Sequence, residues 1–224
     1  MKVPPSGAWK RQKGWDLLQR VVELLRGRRI FRRRRTDELT KALAVLAYHG
    51  GLSLRRTSEV LRRRRSHEAV RRWVRRCREL FPPPERKDRG PLAMDETHVR
   101  IGTTGWYLWA AIDLETREIL AVHLTTTRSH MDTMVFLSKV VRSCRNRPLV
   151  YVDGGPWYPW ALRRYGFPYE WRTFGPRSAV ERWFGLLKRR TRRFHNVFPY
   201  RSSERSVMEW TEAWVRLHNW RVLS

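Results

Sequence analysis

The chain has 224 residues, 48 of them Lys or Arg against 21 acids, giving a net charge of +27 and a pI near 11.5. That excess points to a polyanionic partner, nucleic acid first. No apolar run approaches the ~20 residues of a spanning helix, the N-terminus lacks the apolar core of a signal peptide, and two distant cysteines, Cys77 and Cys144, make neither a disulfide framework nor a zinc pattern. A soluble cytoplasmic protein without a membrane partner is therefore expected.

The basic charge is concentrated early. Residues 1–90 hold 27 Lys/Arg and nine acids, a net of +18, against +9 for the remaining 134 residues. In "GWDLLQRVVELLRG", Trp15, Leu18, Val22 and Leu25 fall at helical spacing. Thr36 or Asp37 is placed to cap a second helix, "ELTKALAVLAYHGG", which Gly50 and Gly51 stop. Ser53 and Ser66 then cap two short helices. In the later one Val70, Trp73, Val74 and Cys77 form an apolar stripe, opposite Arg71, Arg72, Arg75, Arg76 and Arg78. This order resembles a helix-turn-helix whose last helix enters the major groove of double-stranded DNA. A helical hairpin with a solvated basic face is the alternative, but solvated faces usually mix charge signs. The region 1–80 is thus predicted to be an all-α DNA-binding domain.

Three consecutive prolines and a Gly-Pro pair make 81–91 a linker. Beyond it the periodicity changes, and 92–224 is predicted to be one α/β domain. Three strand-like runs, "AMDETHVRI", "GWYLWAAIDLET" and "EILAVHLTTT", form an antiparallel meander. A helix, "HMDTMVFLSKVVRSC", leads to the apolar strand "RPLVYVDGG". A short helix, a strand "YEWRTF", the helix "SAVERWFGLLKRRTRRF" and a last amphipathic segment follow.

Three acids stand out in this order. Asp95 shares its strand face with Ala93, Thr97 and Val99, where an unpaired buried carboxylate is costly. Asp153 ends the strand after the crossover helix, where open α/β sheets gather their chemistry, and Gly154 and Gly155 let the chain turn sharply. Glu181 stands beside the packed stripe Val180, Trp183, Phe184 and Leu187, with Gly185 leaving room one turn on. Lys188 lies two turns further along the same face. Taken singly, each acid reads as a salt bridge or a solvated charge.

Together, "MDET", "VDGG" and "AVERWFGLLKRR" resemble the three-acid signature of transposases and retroviral-type integrases with the ribonuclease-H-like fold. The chain resembles in particular the insertion-sequence-six family of transposases, over almost its whole length, with Trp106, Tyr107 and Asp113 at matching places. The resemblance implies a mixed five-stranded sheet flanked by helices behind the helix-turn-helix. It implies Asp95, Asp153 and Glu181 as catalytic residues and metal ligands, Lys188 as the basic residue after the glutamate, and two Mg²⁺ or Mn²⁺ ions as cofactors. It further implies binding of element-end inverted repeats, cleavage and strand transfer, and a homodimer or higher oligomer on DNA. The 28-residue step from Asp153 to Glu181 is shorter than the family usually shows, which leaves Glu170 as a rival. Trp157, Tyr158 and Trp160 are expected to stack on unpaired bases or to pack in the core, and Arg189, Arg190, Arg192 and Arg193 to follow backbone phosphate. Two other readings remain open on these residues: an inactive, domesticated transposase that only binds DNA, and a ribonuclease-H-like nuclease without strand transfer.

Overall fold

The computed structural model describes residues 6–28, 30–31, 36–61, 66–191, 197–198 and 202–223. The chain divides into two compact units, Met1–Phe81 and Pro82–Ser224.

The first unit is helical, with α1 (Ser6–Arg28), α2 (Glu38–His49), α3 (Leu54–Val60), α4 (His67–Cys77) and a 3₁₀ turn, Arg78–Leu80. The cap residues do what their chemistry suggests. The Asp37 carboxylate accepts from the Thr40 amide at 2.7 Å, so Asp37 rather than Thr36 starts α2. Ser53 and Ser66 likewise accept from the amides of Arg56 and Ala69. Gly51, at φ +117°, takes the backbone out of α2 in a conformation that L side chains rarely adopt. Leu18, Val21, Val22 and Leu25 of α1 are buried, as are Ala42, Val45 and Tyr48 of α2 and the stripe Val70, Trp73, Val74 and Cys77 of α4. The side chain of Trp15 lies outside the described residues.

The second unit is a mixed sheet between two helical layers. Strands β1 (Leu92–Ile101), β2 (Thr104–Asp113) and β3 (Ile119–Thr125) form the antiparallel meander. After helix α5 (His130–Val141), strand β4 (Val150–Val152) returns parallel to β1. After α6 (Tyr158–Arg164), β5 (Tyr169–Trp171) lies parallel to β4, giving the order β3-β2-β1-β4-β5. Helix α7 (Ser178–Thr191), strand β6 (Val197–Phe198) and helix α8 (Glu204–Val222) complete the unit. This is the ribonuclease-H-like arrangement, with one correction: the sheet has six strands, not five, because β6 pairs parallel with the far end of β1. Two paired residues are too few to make an alternating pattern, so this strand left no periodic signal in the sequence.

The two faces of β1 feed separate cores. Met94 packs with Trp109, Phe136, Leu137, Tyr158 and Leu162 on the α5–α6 side. Ala93 packs with Leu108, Ile112, Val180, Trp183 and Leu187 on the α7–α8 side. Each of the larger side chains contributes about 1.5–3 kcal/mol by leaving water. Polar ties lock the layers: the Asn219 side chain of α8 both donates to the carbonyl and accepts from the amide of Ile119, each at 2.8 Å.

A buried ionic staple fastens the segment before β1. The Arg89 guanidinium bonds Glu118, lies 3.6 Å from Asp113, and donates to the carbonyls of Ser143 and Glu85. Its backbone exchanges hydrogen bonds with Asn146, at 2.9 and 2.8 Å. Asp113 in turn caps the β2–β3 turn by accepting from the amides of Glu115 and Thr116.

Candidate active site

The parallel pairing of β1 with β4 sets the first two acids side by side. Ala93 stands opposite Tyr151; two residues on come Asp95 within β1 and Asp153 just past the end of β4. Asp95 is 8% exposed and lies on the α7–α8 side. Asp153 follows the last residue of β4 and accepts from the amide of Gly155 at 2.9 Å, which fixes the turn. A Cβ on Gly155 would stand 2.7 Å from the Trp157 ring and 2.9 Å from the Asp153 carboxylate, so glycine is required there for close approach. Gly154 meets no such crowding.

Asp95 is held above the ordinary carboxylate range, first by burial and further by the charge of Asp153; Arg177 opposes both. Arg177 is 8% exposed, and its guanidinium lies 3.0 Å from Asp95 and 3.8 Å from Glu181. Glu181 occupies the first turn of α7 with its side chain 52% exposed, while Val180, Trp183, Phe184 and Leu187 are buried beneath it as their spacing predicts. A Cβ added to Gly185 would meet nothing within 4 Å, which agrees with the expected open space one turn on.

A fourth carboxylate stands on the opposite face of β1. Glu96 accepts from the hydroxyl of the fully buried Tyr158 at 2.7 Å and faces Arg128 at 3.4 Å. Burial raises its pKa, Tyr158 lowers it, and the charges of Asp153 and Asp95 raise it again. Arg128 in turn lies over the rings of Tyr107 and Trp157, 4.6 and 4.5 Å from their centroids.

The remaining sequence-predicted residues divide by placement. Arg71, Arg72, Arg75 and Arg76 all lie on the exposed side of α4; Arg71 pairs with Glu68 at 2.7 Å, and Arg76 donates to the carbonyl of Ile30 at 2.9 Å. Lys188 and Arg189 are exposed on α7. Arg190 corrects the expectation: it is 5% exposed and lies over the Trp210 ring, because it continues the Trp183–Leu187 stripe by three residues. Arg192 and Arg193 lie outside the described residues. Trp157 is partly buried against Trp109, with Arg128 stacked on it. Tyr158 is committed to the core, whereas Trp160 is 48% exposed. The rival Glu170 is exposed on edge strand β5, with its carboxylate bonded by Arg172.

Glu96 and Arg177 escaped the sequence reading. The first was visible as the second acid of "MDET", and the second as a basic residue four before Glu181, a spacing that brings side chains together on a helix.

Among the described residues, no three His, Cys, Asp or Glu side chains gather closely enough to hold a metal ion. The donor chemistry nevertheless fits a hard divalent cation. Asp95 and Asp153 offer only oxygen and repel one another, and a cation already stands between Asp95 and Glu181 in the form of Arg177. Among the described residues no helix is long and apolar enough to cross a membrane.

Residues 91–209 match the family model described as a DDE domain. An uncharacterized protein of Methanocaldococcus jannaschii is 41% identical over 204 residues, 90% of this chain and 94% of the relative. Among solved structures, the catalytic core domain of HTLV-2 integrase in complex with magnesium is similar at 15% identity, over 50% of this chain and 72% of that one, with a TM-score of 0.39. The catalytic core domain of BIV integrase is similar at 16% identity, over 56% and 80%, with a TM-score of 0.42.

Proposed function

Because the chain belongs to the DDE domain family, we propose that it is an insertion-sequence transposase, of the insertion-sequence-six type. In this reading it binds element-end inverted repeats in double-stranded DNA and cuts and joins DNA strands through Asp95, Asp153 and Glu181. The observation that supports the reading is Asp95 in β1 and Asp153 directly after the end of the adjacent parallel strand β4, close enough for their charges to interact, with Glu181 tied to Asp95 through one guanidinium.

Asp95, Asp153 and Glu181 would hold two Mg²⁺ or Mn²⁺ ions. Bound there, such ions would activate a water or a DNA 3′-hydroxyl for attack on a phosphodiester and would stabilise charge on the leaving oxygen. The protein's own share is positional. The Asp153 turn is fixed by Gly155, and Asp95 by ten residue pairs between β1 and β2. Exposed Lys188 and Arg189 lie on the same helix as Glu181, where they can neutralise backbone phosphate. Arg71, Arg72, Arg75 and Arg76 give α2–α4 the basic face of a helix-turn-helix, with binding that weakens as salt rises. Trp157 lies beside the Asp153 turn, where its ring, stacked by Arg128, could meet a base only if Arg128 moved aside. Joining two element ends calls for at least a dimer on DNA, working in the cytoplasm on the nucleoid.

The test is cleavage and joining of a labelled duplex bearing an element end, with Mg²⁺ or Mn²⁺ and with EDTA, for wild type and Asp153→Asn. Metal-dependent nicking and strand transfer should fall by ~100-fold or more in the variant. Nicking without joining would indicate a nuclease. Specific binding without cleavage in either protein would leave a DNA-binding module.

A further inference from the structure

Arg177 connects two acids that the proposed chemistry needs free. Its Nη2 lies 3.0 Å from Asp95 and 3.8 Å from Glu181, and its Nη1 donates to the carbonyl of Arg172 at a long 3.4 Å. Its Nε is buried and has no hydrogen-bond partner among the described residues. A guanidinium has five N–H donors in a fixed fork, and burying it with donors unmatched is costly. This arginine is therefore placed by the two carboxylates rather than by a complete set of hydrogen bonds. Arg177 and Glu181 are four residues apart and Glu181 is half exposed, so the Glu181 side of this contact opens to solvent and to an incoming cation.

Resting on the function proposed above, we propose that Arg177 is the resident counter-ion of the metal-free site, holding Asp95 and Glu181 together until divalent cations take its place. It neutralises two acids that would otherwise repel each other, and it keeps the carboxylates near one another before the cofactor arrives. Because the guanidinium and a divalent ion compete for the same oxygens, Arg177 lowers metal affinity while stabilising the metal-free protein. It is a positioning residue, and its effect is on loading of the site.

Binding of Mn²⁺ to the full chain, followed by the electron-spin resonance of free Mn²⁺, tests this. Arg177→Gln should bind Mn²⁺ about tenfold more tightly than wild type, and Arg177→Lys about threefold more tightly, because lysine keeps the charge but loses the fork. In EDTA, Arg177→Gln should unfold at a lower temperature than wild type and gain more from added Mn²⁺. Equal or weaker binding by both Arg177 variants, with binding lost in Asp153→Asn, would overturn the exchange and leave the proposed function standing. Absence of Mn²⁺ binding in wild type and in every variant would overturn both. Should Arg177→Gln fail to fold, the Arg177→Lys comparison decides alone.

Discussion

Arg89 and Arg177 each stand between two acids in the same unit, and their surroundings differ. Around Arg89, both carboxylates are buried and the guanidinium also bonds two backbone carbonyls. Around Arg177, one acid is half exposed, one nitrogen is unmatched and the carbonyl contact is long. The same trio of charges thus makes a staple in one place and an exchangeable contact in the other. What separates them is whether the hydrogen-bonding shell is closed, since Coulombic attraction alone repays desolvation poorly.

The sharpest test removes one acid from the closed trio. Glu118→Gln should cost about 3–5 kcal/mol in urea unfolding, because it leaves Arg89 buried beside a weaker partner. A loss below 1 kcal/mol would break the contrast with Arg177.

Glu96 falls between the two cases, with one neutral donor and one partly exposed cation. Tyr158→Phe should cost about 1–3 kcal/mol by orphaning that carboxylate, measured by the same unfolding. If Arg128 closes the shell unaided, the loss will be negligible.

A further contact lacks an acid altogether. Lys139 donates to His123 Nδ1 at 3.0 Å, and burial, then the Lys139 charge, hold the imidazole down at about 4. Between its unfolded value of 6.5 and this folded one, the unfolded chain takes up a proton that the folded chain refuses. Stability should therefore fall as the pH drops through that window, by about 1–2 kcal/mol once solvent screening is allowed for, and level off below it. In His123→Gln this component of the slope should vanish.

The smallest effect belongs to the open trio. Glu181→Gln should change stability by less than about 1 kcal/mol, because the glutamate is half exposed and its contact with Arg177 is long at 3.8 Å, while reducing any metal-dependent cleavage. A stability loss matching that of Glu118→Gln would show that the Arg177 contact is a second staple.

Much of this arrangement was legible in advance because it rests on local chemistry. Ser53 and Ser66 announce helix starts, Asp95 interrupts an otherwise apolar row, and Glu181 borders a stripe whose burial follows from spacing alone. Long-range pairings left no such mark. Tyr158 and Glu96 are 62 residues apart, and only the parallel return of β4 brings α6 over β1. Arg177 was one of 48 basic residues, so its partners gave it meaning. Arg190 was hidden by its basic neighbours, although its spacing from Trp183 and Leu187 already placed it on the apolar side.

The two faces of β1 carry one further consequence, for the chain lengths this protein can tolerate. Asp95 and Glu96 are neighbours in sequence but point to opposite layers, so a slip of β1 by a single residue would exchange them. A one-residue deletion between Leu92 and Asp95 would therefore put Glu96 in the place of Asp95 and thrust Asp95 into the other core, and a one-residue insertion would put Met94 there, even with every other residue retained. Length variation is better absorbed before the staple, around Pro82–Pro84, than in the four residues that set which acid faces which layer.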